Sequence, residues 1–318
     1  MPLPAPEREC PLRTDDAEKV WHYLVMTFKS GADFDGQRAT SGGGGGLAIG
    51  GGVGSVVLVG LYLLLGGNPS DIGALLGNEQ SQSSTQSGAD DSAFDHCQTA
   101  EDGNKYDDCR VMFTAMSVDN VWTAELPEQA GIEYTNPGRV IFNGSTNSGC
   151  GTASSATGPF YCPADQSAYF DTTFFDSLSN YGAHNAPFAQ MYIVAHEFGH
   201  HIQQLEGTLQ LSDYNDPGAD SNAVKIELQA DCYAGIWASH ADKGEDALLE
   251  PISQQQVADA VTAAQAVGDD NIQRRSTGQV QPDAWTHGSS EQRQQAFLAG
   301  YNSGRMAECD TLGRGVYR

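Results

Sequence analysis

"VAHEFGHHIQ", Val194–Gln203, decides how the rest of the chain is read. Phe188, Met191, Tyr192, Ala195, Phe198, Ile202 and Leu205 recur around it at helical spacing, which predicts a helix over 188–205. Pro187 suits the first helical position, and Gly207 lies just past the end. On such a helix His196 and His200, at i and i+4, project from one face, one above the other. Two imidazoles so placed can bind one tetrahedral zinc ion. Glu197 borders the same face, where a carboxylate can serve as general base on zinc-activated water; this is the H-E-x-x-H arrangement. A bare H-E-x-x-H also arises by chance on helices that merely carry polar residues along one side. Here the surrounding Val, Ala, Phe and Ile mark a buried helix, where two histidines and a glutamate are costly unless paired or metal-bound.

A third ligand is then expected from another element. "ELQAD", Glu227–Asp231, lies in a stretch, Ser221–Ala241, that reads as a helix, and its two acids are again at i and i+4. Glu227 can ligate zinc, and Asp231 can accept the free N–H of a zinc-bound histidine, which fixes the tautomer. Two acids on a helix are, taken alone, usually a solvated face; the preceding H-E-x-x-H shifts that balance. The fourth position stays open, as in catalytic rather than structural zinc sites. His201 points about 100° away from His200 and is not counted as a ligand. His184 and His240 belong to no motif. His287, in "WTHGSSEQR", precedes a capped helix and is a candidate donor to the oxyanion of a tetrahedral intermediate, as is Tyr233. The plainer reading of His287 is a structural hydrogen bond at a helix N-terminus.

"NVWTAELP" reads as a helix that ends at Pro127. "GRVIFNG", Gly138–Gly144, and the start of "SAYFDTTFF", Ser167–Phe175, read as strands. Ser253–Val267 and Ser289–Gly304 read as helices, each opened by a capping box, Ser253 with Gln256 and Ser289 with Gln292. Strands first and helices later predict a single α+β domain over 94–318.

Upstream, "LAIGGGVGSVVLVGLYLLLGG", Leu47–Gly67, carries no charge and has about the ~20 residues a helix needs to cross a bilayer. Lys29 and Arg38 precede it, and no Lys or Arg follows until Lys105. The positive-inside rule then predicts a single-pass protein of the cell membrane, with the N-terminus cytoplasmic and the catalytic domain outside. A cleaved signal peptide fits less well, because the run is long, begins late and lacks an A-x-A site. The expected organisation is a mostly disordered cytoplasmic segment 1–46, a transmembrane helix 47–67, a flexible tether 68–93 and the domain 94–318. Residues 1–25 fit none of these roles; Met26 is expected to be the true start, with 1–25 an untranslated extension.

The chain has 318 residues and a net charge of −25, which argues against nucleic acid and anionic lipid as partners. Cys10 stands alone, while Cys97, Cys109, Cys150, Cys162, Cys232 and Cys309 all follow the apolar run, as expected for disulfides. Short loops favour Cys97–Cys109 and Cys150–Cys162, leaving Cys232–Cys309.

"HEFGHHIQ" followed by "ELQADCYAGIW" resembles the bacterial neutral zinc metallopeptidases, a membrane-anchored family. "CGTASSATGPFYCPAD", Cys150–Asp165, "THGSSEQR", Thr286–Arg293, and "MTFKSGADFDGQR" near the N-terminus are similar as well. The resemblance runs from Met26 to the C-terminus. It implies a gluzincin-type, zincin-like peptidase with Zn²⁺ on His196, His200 and Glu227 and with Glu197 as base. In related metallopeptidases a strand placed like Ala168–Asp171 pairs with an extended substrate. The expected function is a zinc metalloendopeptidase acting on a peptide or protein substrate. The alternatives are a non-catalytic zinc-binding scaffold and a zinc amidase of the cell wall.

Overall fold

The structure, a computed structural model, describes residues 27–34, 36, 38–42, 91–154 and 157–318. Its fold is α+β. The sheet is built from β1 (Thr40–Ser41), β2 (Gly138–Phe142), β5 (Phe160–Cys162) and β6 (Ser167–Asp171), in the order β1-β2-β6-β5. β1 and β6 flank β2 in parallel, and β5 runs antiparallel to β6. A separate hairpin, β3 (Ser145–Ser148) with β4 (Gly151–Ser154), lies between β2 and β5 in the chain. β6 is therefore an interior strand, paired along its length with β2 and at Ser167–Tyr169 with β5; among the described residues the edge strands of this sheet are β1 and β5. This corrects the expectation for Ala168–Asp171.

Eight helices complete the described fold: α1 (Ala100–Lys105), α2 (Asp107–Ala130), α3 (Phe174–Ser177), α4 (Pro187–Glu206), α5 (Asn222–His240), α6 (Gln254–Ala266), α7 (Asp269–Ser276) and α8 (Ser290–Ser303). α4 opens with Pro187 at its first turn and ends at Gly207 in the left-handed region, as the sequence implies. Both expected capping boxes form, at Ser253 and Ser289. α2 departs from the reading: it begins at Asp107 and carries Pro127 inside its last turn. It is buried on nearly every face, so its apolar residues show no 3.6 period.

Two glycines let the central helices touch. A Cβ on Gly199 of α4 would lie 2.9 Å from the Ala230 carbonyl oxygen of α5. One on Gly300 of α8 would lie 1.9 Å from the Cys232 carbonyl oxygen. Only glycine permits these crossings, and they bring the acids of α5 up to α4 on one side and α8 on the other. All three disulfides form in the expected pairing, with Cα separations of 5.2 Å for Cys97–Cys109, 5.8 Å for Cys150–Cys162 and 5.5 Å for Cys232–Cys309.

The membrane placement is overturned. Phe28 and Phe34 are buried in the main core, and the Phe28 backbone bridges Leu249. Lys29 N–H donates to the Leu248 carbonyl at 2.7 Å. Arg38 donates to the carbonyls of Phe94 and Cys97, and β1 extends the sheet. One span between residues 42 and 94 would put these segments on opposite sides of a bilayer, yet they share one core. Among the described residues no helix is long and apolar enough to cross a membrane. The expected span 47–67, the tether up to residue 90 and the expected start at Met26 lie outside the described residues.

Candidate active site

α4 and α5 bring His196, His200 and Glu227 together. His196 Nε2 is 3.3 Å from Glu227 Oε2, and His200 Nε2 is 3.7 Å from Glu227 Oε1. The three ligand-type atoms lie within 4.8 Å of one another. All three side chains line a cleft of about 250 Å³, together with Glu197 and His287. Phe160, Tyr161, Phe174, Ile193, Leu209 and Ile272 give the cleft apolar walls.

Each imidazole is held from behind. His196 Nδ1 meets Asp231 Oδ1 at 2.8 Å, and His200 Nδ1 meets Gln203 Oε1 at 2.8 Å. Asp231 is fully buried and also takes Arg293 Nε at 2.7 Å and Nη2 at 2.9 Å, as well as the hydroxyl of Tyr192. The Tyr214 hydroxyl donates to Glu227 Oε1 at 3.2 Å. His287 is held through Nδ1 by Thr286 Oγ1 at 2.9 Å and Asp269 Oδ1 at 3.3 Å, so Nε2 is the nitrogen left for the cleft. Asp269 Oδ2 accepts the backbone N–H groups of Thr286, His287 and Gly288, which pins that loop.

The electrostatics follow from burial opposed by close charges. Burial pushes the Asp231 carboxyl up, but Arg293 and His196 outweigh it and bring it to about 2. Burial pulls His196 down, but Asp231 and Glu227 raise it to about 10, so its surroundings favour positive charge. Burial takes His200 down to about 4 and Glu197 up to about 7. Burial also opposes ionisation of Glu227, yet His200, His287 and His196 hold it well below the usual carboxylate range. Burial lowers His287, while Glu227 and Asp269 more than restore it.

Two imidazole Nε2 atoms and the Glu227 carboxylate converge here, a nitrogen and oxygen donor set that suits a divalent cation. A second group, His96, Cys97, Asp108 and Cys109, also brings ligand-type atoms together. Its sulfurs are joined in a disulfide and offer no thiolate.

Residues 29–312 match the family described as "Putative neutral zinc metallopeptidase". The chain belongs to this family. An uncharacterized protein of Mycobacterium tuberculosis is 48% identical over 222 residues, 68% of this chain and 74% of that protein. An uncharacterized protein of Escherichia coli is 39% identical over 205 residues, 63% of this chain and 69% of that protein. No solved structure matches.

The remaining expectations sort by geometry. Tyr233 is not at the cleft; its hydroxyl bonds Glu206 Oε2 at 2.9 Å and Tyr317 Oη at 3.0 Å, so it is no oxyanion donor. His201 is buried, with Nδ1 against the Tyr161 hydroxyl at 3.0 Å and Nε2 against the Thr135 carbonyl at 2.6 Å. Both ring nitrogens are occupied, in keeping with its exclusion as a ligand. Spacing alone assigns no site role to Tyr192, Gln203, Tyr214 or Arg293, which hold the site groups from behind. Arg293 had a usable signal: it sits one residue after the Ser289–Gln292 capping box, on a face that α8 buries.

Proposed function

We propose that the chain is a zinc metalloendopeptidase. The observation that carries this reading is the convergence of His196 Nε2, His200 Nε2 and the Glu227 carboxylate in one cleft, with Glu197 beside them. His196, His200 and Glu227 would hold the zinc. The bound ion would supply Lewis-acid chemistry, lowering the pKa of water towards ~7 and polarising the scissile carbonyl.

The chain's own groups do the rest. Glu197 takes a proton from the attacking water and returns it to the leaving amine. Burial opposes its ionisation, which favours a carboxylate able to hold the proton between the two steps. The backbone N–H of Tyr161 faces the Glu197 carboxylate and steadies it. His287, whose Nδ1 faces Asp269, donates from Nε2 to the oxyanion of the tetrahedral intermediate as the imidazolium that Glu227 and Asp269 favour. Asp231 and Gln203 fix the rings of His196 and His200. The free edge of β5 pairs with an extended peptide, and the apolar walls take its side chains.

A scaffold that keeps zinc for stability alone closes its site with four protein ligands. Three converging donors and an adjacent buried base favour catalysis instead. Zinc analysis of the full chain, with a peptide library cleaved by wild type and Glu197→Gln, tests the reading. Retained zinc with lost cleavage is expected. Cleavage that survives in Glu197→Gln, or wild type that binds zinc yet cuts no peptide, overturns it.

A further inference from the structure

The two histidines that face Glu227 are held by different devices. Asp231, as a carboxylate, can only accept, so it fixes His196 directly. Gln203 behind His200 is an amide and can face either way. Turned one way it accepts from Nδ1–H and leaves the Nε2 lone pair free for a metal. Turned the other way its NH₂ group faces Nδ1, which favours the tautomer with a protonated Nε2. Something must choose.

The choice is made further back. Gln203 Nε2 donates to the Ile226 carbonyl at 2.7 Å and to Gln229 Oε1 at 3.1 Å. Gln229 Nε2 donates to the Cys309 carbonyl at 3.1 Å and to Tyr317 Oη at 3.1 Å. The carbonyls of Ile226 and Cys309 can only accept, so both amides are locked in one direction. A flipped Gln203 would set its oxygen against two other oxygens. Gln203 and Gln229 are fully buried, so no water can make good a wrong choice. Cys309 is itself tied to α5 by its bridge to Cys232.

We propose that Gln229 is a positioning residue for His200, acting through Gln203, with the C-terminal Cys309–Tyr317 segment holding Gln229 in turn. The inference rests on the reading of His200 as a zinc ligand and extends it to the C-terminus, remote from the cleft. Loss of the relay lowers zinc affinity without touching any ligand.

The test uses the full chain with Zn²⁺ in competition with a chelator, and Co²⁺ loading, whose visible bands report ligand geometry. Gln229→Met is near in size and cannot accept from Gln203; it is expected to weaken zinc binding by about tenfold and to alter the cobalt spectrum. Tyr317→Phe leaves the Cys309 carbonyl in place and gives a smaller change of the same kind. Ile236→Val, on the same helix but outside the relay, keeps wild-type affinity and spectrum. Should Gln229→Met not fold, as judged by circular dichroism, Gln229→Leu carries the test, and wild-type affinity and spectrum there overturn the proposal. Wild-type affinity and spectrum in folded Gln229→Met, or equal losses in Ile236→Val, overturn it while His200→Ala still abolishes binding. If His200→Ala binds zinc like wild type, the reading of the site fails first and the proposal with it.

Discussion

His196 Nδ1 lies 2.8 Å from Asp231 Oδ1, and Arg293 closes on the same carboxylate from α8. One buried aspartate thereby joins the helix that carries the histidines to the last helix of the fold. Asp231→Asn is expected to weaken zinc binding by about 10–100-fold, since an amide no longer dictates the His196 tautomer. It also leaves the Arg293 charge unpaired, at a cost of about 3–5 kcal/mol. Chelator competition measures the first effect and denaturant unfolding the second.

The same pair predicts a pH response of the metal-free protein. Burial opposes ionisation of Asp231, but Arg293 and His196 hold it at about 2, below the ~3.9 of an unfolded aspartate. The folded pKa is depressed, so its contribution is present above pH ~4 and lost as pH falls towards 2. The stability gap between wild type and Asp231→Asn should narrow over that window by an amount on the order of 2–3 kcal/mol. Urea unfolding at stepped pH checks it; a constant gap would count against the pairing.

Glu197→Gln keeps the shape of the cleft and removes the base. The expected loss in kcat is about 10²–10⁴-fold, with zinc content unchanged. Steady-state cleavage with metal analysis on the same sample separates lost chemistry from lost metal.

Gly199→Ala tests the helix crossing. The added Cβ would meet the Ala230 carbonyl oxygen at 2.9 Å and Ala230 Cα at 3.0 Å, both backbone atoms that cannot step aside alone. A destabilisation of about 1–3 kcal/mol is expected. Zinc affinity falls too, because Glu227 retreats from His196 and His200 with the rest of α5. Thermal unfolding without and with zinc reads both.

The site was legible where chemistry follows local spacing. His196, Glu197 and His200 share one helix, and Glu227 and Asp231 share another, so each set could be read from a period of four. Arg293, Tyr192 and Gln203 act across helices, and no spacing announces which partners tertiary packing will supply. α4, α6 and α8 declared themselves through proline, glycine and capping boxes at their ends. β3 and β4 are Ser, Thr, Asn, Ala and Gly, with no apolar alternation, and the Cys150–Cys162 bridge ties the turn between them to β5. Lys29 and Arg38, read as flanking charges, point to a membrane span. In the fold the Lys29 backbone pairs with Leu248, and Arg38 binds the carbonyls of Phe94 and Cys97. A charge count is blind to contacts made across 56 residues or more of chain.

The docking of residues 27–42 sets where the protein can be cut. A version trimmed to 94–318 would strip Phe28 and Phe34 from the core and remove the bridge to Leu249. It would also bare the β2 backbone at Val140 and Ile141, where β1 now lies. An uncovered strand beside exposed core is a template for aggregation. The early segment is therefore a folding partner of the α+β fold, and expression limits belong before Thr27.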